Sequence, residues 1–440
     1  MLLRKRSTVE SETASEWPSI SRMEANPATL GQPVRAIYPR RCDDIAGSAV
    51  KYLNEVCVSA DRPLFQRSAI KAHVSYGKDM LPGALYGSDT RSYITSKFMH
   101  VAVNKNRCAI NCVDWLPHGR RVLTATQSGE FTLWNGTQFT FENIMQAHSS
   151  AVRATAWLPD GNTLISGDAA GGMKLWDWNF FPFAQWQAHK ETIRDITVAP
   201  TGRKFATCAD EAQAKVWDFG TGAEERQLSG HGWDVRAVHW HPDKALIATG
   251  SKDCNIKLWD PRVSEAVSTI YAHKSVITRL RWSPDGNWLV SGSRDLLLKA
   301  MDIRKMSTVE RVFKGHLKEI TCLSWHPIDP TLFVSGSYDG HLCFWDVHQP
   351  GAPVESLVGA HDASIWSVSF HPLGHLLVTG SHDNCTKFWA RPMPGDPPSQ
   401  EMAPKGRMYQ QYQEMLKEKE NLSNLPMDNI YRPPLPQRTV

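Results

Sequence analysis

The sequence contains no long uninterrupted apolar run, although 41% of its 440 residues are hydrophobic. No window approaches the length needed to span a bilayer, so no membrane association is predicted. The beginning, MLLRKRSTVESETASEW, carries basic side chains with no apolar stretch behind them, and we therefore expect no secretory signal. The apolar content is still sufficient for a packed core, which excludes a wholly disordered protein.

Motifs of the common enzyme classes are also missing. The sequence contains no GxxxxGKS/T, GxSxG or HExxH element. The formal charge of +4 is mild and does not by itself indicate a nucleic-acid binder. We therefore expect no catalytic residues and no cofactor.

Cysteine and histidine show no spacing typical of a metal site. The nine cysteines are odd in number and scattered through strand-like segments, which predicts reduced, buried thiols in an intracellular protein. Cys108 and Cys112 have no second pair of ligands at a usable spacing. His239 and His241 form HWHP, but the HP element recurs twice downstream without the first histidine. We interpret it as a strand end and turn, and predict no metal site.

Self-similarity is the strongest positive signal in the chain. A small residue followed by histidine recurs at steps of 41, 42, 42, 43 and 45 residues, with the histidines at His148, His189, His231, His273, His316 and His361. A second series ends a strand-like segment with Trp, replaced once by Met, at Trp134, Trp176, Trp217, Trp259, Met301, Trp345 and Trp389. The chain is therefore an array of structural repeats.

Each repeat shows the pattern of a small antiparallel sheet. VRAVHWHPDKALIATGSKDCNIKLWD at 235–260 alternates apolar and polar residues, which predicts three short strands, and the stretch before the next histidine supplies a fourth. These residues resemble the WD-repeat family over residues 96–391. The resemblance implies an all-β fold, a seven-bladed WD-repeat β-propeller in which radial closure leaves no long sheet edge exposed.

In the WD-repeat family a hydrogen-bonded tetrad of His, a strand Ser or Thr, a turn Asp and Trp holds each blade together. The matching turn residues here are Asp253, Asp295, Asp339 and Asp383. The first three blades have Ser128, Ala170 and Glu211 at that position instead. We therefore expect the later blades to be the more regular ones.

Segments before and after the repeats complete the expected organisation. RPMPGDPPSQ at 391–400 cannot continue a sheet, so we expect SKFMHVAVN at 96–104 to supply the outer strand of the last blade. Outside the ring we predict a disordered segment at 1–30, a basic arm with a short helix and a wrapping segment at 31–95, and a Pro-rich tail with a short helix at 392–440.

The segment GEFTLWNGTQFTFENIMQAH at 129–148 carries two phenylalanines, Phe139 and Phe141. Counting back by twos from Met145 places Phe141 on the same side of the strand as that core residue. Other repeats have Pro182, Glu224, Ala266, Val309 and Val354 at the position of Phe141. Because the fold accepts Glu and Ala there, it does not require a phenylalanine. From spacing alone, packing of both rings beneath the N-terminal segment is favoured.

A narrower resemblance favours a different role for these rings. The chain is similar to the WD-repeat subunit of the cleavage and polyadenylation specificity factor, which serves in pre-mRNA 3′-end formation. The segments that carry this likeness, besides 129–148, are NKNRC at 104–108, AEERQLSGHGWDV at 223–235, SFHPLGHLL at 369–377, RRCDDIAGSAVKYL at 40–53 and RPMPGD at 391–396. The likeness implies a nuclear, non-enzymatic subunit that helps to read the AAUAAA signal, together with a zinc-finger subunit and a multi-propeller scaffold subunit.

The resemblance also implies the residues that contact single-stranded RNA. Phe141 matches a base-stacking Phe, Ile144 an adjoining apolar contact and Lys105 a basic contact, while the matching arm residues are Arg35, Arg40 and Arg41. Tyr38 or Trp17 could supply a second stacking ring. The alternative for the arm arginines is a solvated surface or ion pairs with Asp43 and Asp44. The alternative for the whole chain is a general WD-repeat scaffold, such as a substrate adaptor for ubiquitin ligation.

Overall fold

The computed structural model describes residues 93–305 and 309–392, and in this part of the chain seven four-stranded antiparallel sheets form the ring. This architecture confirms the predicted seven-bladed β-propeller. The predicted arm, its helix and the Pro-rich tail lie outside the described residues. Within the two described ranges no helix is long and apolar enough to cross a membrane.

The strands follow the repeats in order. Blade 1 contains β2 (Ile110–Trp115), β3 (Arg121–Thr126), β4 (Glu130–Asn135) and β5 (Phe141–Gln146). Blade 2 contains β6 (Val152–Trp157), β7 (Thr163–Asp168), β8 (Gly172–Asp177) and β9 (Pro182–Gln187). Blade 3 contains β10 (Ile193–Val198), β11 (Lys204–Ala209), β12 (Gln213–Asp218) and β13 (Glu224–Ser229). Blade 4 contains β14 (Val235–Trp240), β15 (Ile247–Ser251), β16 (Ile256–Trp259) and β17 (Ala266–Ile270).

The remaining blades have the same order. Blade 5 contains β18 (Ile277–Trp282), β19 (Trp288–Ser293), β20 (Leu297–Asp302) and β21 (Arg311–Lys314), with a 3₁₀ turn at Ile303–Lys305. Blade 6 contains β22 (Ile320–Trp325), β23 (Leu332–Ser337), β24 (Leu342–Asp346) and β25 (Glu355–Leu357). Blade 7 contains β26 (Ile365–Phe370), β27 (Leu376–Ser381), β28 (Cys385–Ala390) and, as its outer strand, β1 (Lys97–Val103).

The hydrophobic core lies between the blades. Among the described residues, seven clusters of buried apolar side chains fill the seven spaces between neighbouring sheets. Between blades 1 and 2, for example, Leu123 and Phe131 pack against Leu164 and Trp176. Both faces of a blade are therefore covered, and solvent reaches mainly the outer strand and the channel-facing side chains of the innermost strand.

Strand β1 closes the ring. It runs antiparallel to β28, with Lys97 opposite Ala390 and Val103 opposite Cys385. The prediction that residues before the first blade complete the last one is confirmed. Pairing of two strands so far apart in sequence gives blade 7 the same four strands as the other blades and joins the two ends of the ring.

The tetrads are complete in blades 4 and 7. In blade 4, His231 bonds Asp253 at 2.8 Å and Thr249 at 2.7 Å, while Trp259 donates to the same threonine at 2.8 Å. In blade 7, His361 bonds Asp383 at 2.9 Å and Thr379 at 2.6 Å. Each histidine thus joins a loop to the two central strands of its own sheet.

Two blades correct the expectation that later blades are the more regular. In blade 2 the carboxylate comes from Asp168, two residues before Ala170, and bonds His148 at 3.1 Å. In blade 6, His316 faces the thiol of Cys343 at 3.8 Å, and Asp339 lies 3.7 Å from His341 instead. A carboxylate at a neighbouring position can bond the imidazole as the expected turn Asp would. Alignment of the turn residues alone does not reveal this.

The histidine of the HP element bonds the next blade as well as its own turn. The Nε2 atoms of His241, His326 and His371 bond the carbonyls of Gly286, Gly374 and Gly119, each in the blade that follows. The Nδ1 atom of each ring accepts backbone N–H groups of its own turn. The structural interpretation of HP is confirmed, and His371 ties blade 7 to blade 1.

Candidate nucleic-acid interface

The turn between β4 and β5 positions the two phenylalanines. Its first residue is Asn135, where most blades have Asp, and the side-chain oxygen of Asn135 accepts N–H bonds from Thr137 and Gln138 at 3.0 and 2.8 Å. The backbone N–H of Phe139 then donates to the carbonyl of Asn135 at 2.8 Å, which closes a tight loop. Phe139 takes a left-handed conformation, with φ 55°, as a consequence.

Phe139 is a core residue. It is only 4% exposed, its ring centroid lies 4.4 Å from that of Phe388, and it stacks on His100 at 6.1 Å. Blade 2 carries Phe180 in the equivalent place, with φ 63° and a buried ring. Burial of Phe139 in the space between blades 7 and 1 accounts for the first of the two rings.

Phe141 does not share the face of Met145, contrary to the prediction from counting by twos. Residue pairing shifts between Leu133 and Trp134, so Trp134 pairs with Phe141 while Thr132 pairs with Ile144. The bulge adds one residue and reverses the face. Phe141 and Ile144 therefore lie on one face, which is directed toward blade 7, and Met145 lies on the other, in the cluster between blades 1 and 2.

Phe141 is exposed on the outer strand of its blade. Half of its side chain, 50%, is accessible, and its ring meets the edge of Trp134 at a centroid distance of 6.0 Å. Trp134 is itself held by a 3.1 Å bond from its indole nitrogen to Thr124. A rigid tryptophan thus supports the phenylalanine ring on one side, while half of the side chain stays accessible to solvent.

Ile144 and Lys105 lie further along the same side of the molecule. Ile144 is half-buried, and Lys105 is exposed in the loop after β1. The neighbouring Asn106 donates to Glu130 at 2.6 Å, and Glu130 pairs with Gln146 at the far end of β5. Lys105 therefore follows β1 near the end of β5 opposite Phe141, and β5 spans about 16 Å at the usual strand rise. A base on Phe141 and a phosphate at Lys105 would belong to different nucleotides.

The acidic group beside Phe141 is neutralised. Glu142 pairs with Arg121 at 2.6 Å and accepts a bond from Asn135 at 2.9 Å. This pairing reduces the repulsion that a polyanion would otherwise meet there.

Sequence reasoning missed His100, which lies exposed on β1 and stacks on Phe139 at the border of this surface. The sequence predicts the closing strand that contains His100, whereas the register that places His100 opposite Phe388 comes from the structure. Arg35, Arg40 and Arg41 lie outside the described residues, as do Tyr38 and Trp17. Across 93–305 and 309–392, no group of three or more His, Cys, Asp or Glu side chains is arranged to hold a metal ion.

Comparison with known proteins places the repeats in a family. Seven segments match the model described as WD domain, G-beta repeat, at residues 99–135, 139–177, 181–218, 222–260, 264–299, 307–346 and 351–390. Each segment begins with the outer strand of one blade and continues through the three inner strands of the next, and together the segments cover more than half of the chain.

Similar curated proteins carry the name polyadenylation factor subunit 2. The chain is 36% identical to the one from Candida albicans over 366 residues, which are 74% of this chain and 67% of that protein. It is 41% identical to the one from Cryptococcus neoformans over 365 residues, 82% of this chain but only 50% of that protein. The Saccharomyces cerevisiae protein is 40% identical over 354 residues, 74% of this chain and 71% of that protein.

Proposed function

The chain belongs to the WD-repeat family of polyadenylation factor subunit 2, and from this premise we propose that it is a non-enzymatic, RNA-binding and scaffolding subunit of the nuclear mRNA 3′-end cleavage and polyadenylation machinery. The name of its relatives, polyadenylation factor subunit 2, supports a role in mRNA 3′-end processing. The half-exposed ring of Phe141 supports the role in RNA binding, and it is the observation on which the proposal depends.

Stacking explains why a phenylalanine stands at this place. The equivalent residues in blades 2 and 3, Pro182 and Glu224, are exposed and have no aromatic ring to offer. An unpaired base has two π-faces, and stacking one of them on an aromatic side chain contributes about 1–3 kcal/mol. Ile144 on the same face of the sheet extends the apolar contact beside the base.

Charge supplies the remaining affinity in this proposal. Lys105, at the far end of β5, would meet a phosphate of the same RNA strand, and the arginines Arg35, Arg40 and Arg41 would add contacts from the arm. Such contacts carry no base information, and added salt weakens them. Base stacking and phosphate pairing together suit a short single-stranded signal such as AAUAAA.

The proposed partners follow the same resemblance. A zinc-finger subunit and a multi-propeller scaffold subunit would complete the RNA site, because one exposed ring and scattered charges do not read six bases alone. Affinity purification of the chain from its own cells, followed by mass spectrometry, tests this. Recovery of 3′-processing subunits is expected, whereas recovery of a ubiquitin-ligase core would overturn the proposal.

Replacing Phe141 with alanine tests the RNA contact directly. Phe141→Ala should weaken binding of an AAUAAA-containing RNA by the assembled complex about tenfold, through loss of one stacked base. The melting temperature should change little, because half of the ring is already in water. Fluorescence anisotropy with labelled RNA and a thermal melt measure the two quantities.

Phe183→Ala is the matched control. Phe183 is 57% exposed on the outer strand of blade 2, so its removal deletes the same side chain from an equivalent edge of the ring. RNA affinity should be unchanged in this variant. Equal losses in both variants, or a large drop in melting temperature with RNA affinity intact in Phe141→Ala, would rule out the stacking role.

A further inference from the structure

The innermost strands place their second residues around one mouth of the central channel. These strands contact their neighbours all the way around the ring. We call the seven residues the channel ring: Asn111, Arg153, Arg194, Arg236, Thr278, Thr321 and Trp366. They line a cavity of about 400 Å³, within the usual size range of ligand sites, together with Arg279 and, nearer the rim, Lys252 and Arg294.

Positive charge exceeds negative charge in this cavity. Arg194 pairs with Asp210 at 2.6 Å and Arg294 with Glu319 at 2.9 Å, while Arg236 and Lys252 share Asp234 at 3.4 and 3.6 Å. Arg279 lies 3.9 Å from Asp195, which Arg281 already holds at 2.7 Å. The six lining cations thus face four carboxylates, which leaves two positive charges in excess. Deeper in the channel Arg281 adds a cation, and Asp114 adds a carboxyl whose pKa burial raises to about 7.

Arg153 is the cation with the fewest partners. Within the described ranges it makes no ion pair, and its strongest side-chain contact is a long 3.4 Å bond to the amide oxygen of Asn111. Its Nε atom is buried and has no hydrogen-bond partner. Burial lowers the pKa of Arg153, and the nearby charge of Arg194 lowers it further. A buried guanidinium donor without an acceptor is costly, and an incoming anion would relieve that cost.

We propose that the channel ring binds an acidic peptide segment of a partner protein, with a glutamate or aspartate side chain entering the cavity beside Arg153 and Arg279. A planar carboxylate accepts two parallel bonds from a guanidinium fork. The apolar wall formed by Trp366 and Val276 would contact the methylene groups of the same side chain. This site is separate from Phe141 and goes beyond the proposed function.

A peptide fits these residues better than RNA does. The cations converge on one axis, whereas an RNA backbone needs a track of cations along a groove. The rim also carries Asp210, Asp234 and Glu319, which can accept N–H bonds from a peptide backbone. Phosphodiester groups have no donors to offer these carboxylates.

Fluorescence anisotropy on the full chain tests the site. The probe is a rhodamine-labelled peptide of alternating glutamate and serine, and a glutamine–serine peptide serves as its uncharged counterpart. Saturable binding of the glutamate peptide, weaker at higher ionic strength, is expected. Arg153→Glu should weaken it about tenfold or more, because the charge beside the incoming carboxylate is reversed.

Two further variants separate the site from general effects. Lys252→Glu reverses a charge at the exposed rim, where misfolding is not expected, and should weaken binding by a smaller factor. Arg262→Gln removes one charge from an exposed position outside the cavity and should have no effect. Equal binding of the glutamine peptide, or equal losses in Arg153→Glu and Arg262→Gln, would overturn the proposal.

The outcome is independent of the RNA proposal. Phe141→Ala should leave binding of the glutamate peptide unchanged. If RNA instead competes with the peptide, and Arg153→Glu weakens RNA binding while Phe141→Ala does not, the cavity is an RNA site and the peptide proposal is wrong.

Discussion

At the scale of single residues, two phenylalanines of one turn have opposite environments. Phe139 is directed into the space between blades 7 and 1, while Phe141 lies half-exposed on the strand that follows. The difference arises from the left-handed backbone at Phe139 and the bulge opposite Trp134. Composition and spacing treat the two rings alike, but only Phe141 is available to a ligand.

Phe139→Ala should therefore destabilise the protein strongly. Removing a buried phenylalanine from a packed cluster typically costs about 3–5 kcal/mol, and this ring also packs on Phe388 of the closing blade. Denaturant unfolding measures the loss. A change below about 1 kcal/mol, similar to that expected for Phe141→Ala, would show that Phe139 is not the core residue of the pair.

At the scale of elements, contacts between neighbouring blades depend on glycine. A Cβ atom on Gly119 would lie 2.3 Å from the Nε2 atom of His371, so alanine there would displace the histidine that ties blade 7 to blade 1. Gly202 occupies the equivalent turn of blade 3 with nearly the same φ, +69° against +68°, but its nearest neighbour would be Pro159 at 3.6 Å. Blade 2 carries Leu158 where blade 7 carries His371.

Gly119→Ala and Gly202→Ala should consequently differ in stability. Both variants acquire the strain of a left-handed alanine, about 1–2 kcal/mol. Only Gly119→Ala also breaks a buried hydrogen bond, which adds about 1–3 kcal/mol. Unfolding in urea compares the pair, and indistinguishable midpoints would show that the bond across the seam contributes nothing.

At the scale of the whole molecule, buried neutral histidines determine the response to acid. Burial lowers the pKa of His371 to about 3, and burial together with the charge of Arg281 lowers the pKa of His239 to about 3. The unfolded chain protonates these groups near 6.5, before the folded chain does. Stability is therefore complete above pH 6.5 and is lost as the pH falls toward 3.

The melting temperature should accordingly decline steadily from pH 7 to pH 4.5. Each such histidine removes about 1.4 kcal/mol per pH unit below its unfolded pKa. The carboxyl of Asp383 adds a separate loss at lower pH. Burial raises its pKa, but the bonds from His361 and the Cys385 N–H together with the charges of His361 and Lys387 outweigh burial and bring the pKa to about 2. A flat profile between pH 7 and 5, or an unchanged slope in His371→Gln, would contradict this account.

The sequence by itself determined the architecture. The strand period is a local property, because a β-strand alternates faces whatever surrounds it. The blade spacing is local as well, because each repeat contacts only its neighbours. The sequence also predicted the closing strand, because the last blade was one strand short and the residues before the first blade had the pattern of a strand.

Only the tertiary structure decided which side chains meet. The bulge that moves Phe141 onto the face of Ile144, the carboxylate of Asp168 that reaches His148, and the bond from His371 to Gly119 all depend on the relative placement of segments. The channel ring depends on it most, because Arg153, Arg194 and Arg236 belong to three blades. The repeat spacing in the sequence places each arginine on its own strand. Closure of the ring then brings their charges together around one axis.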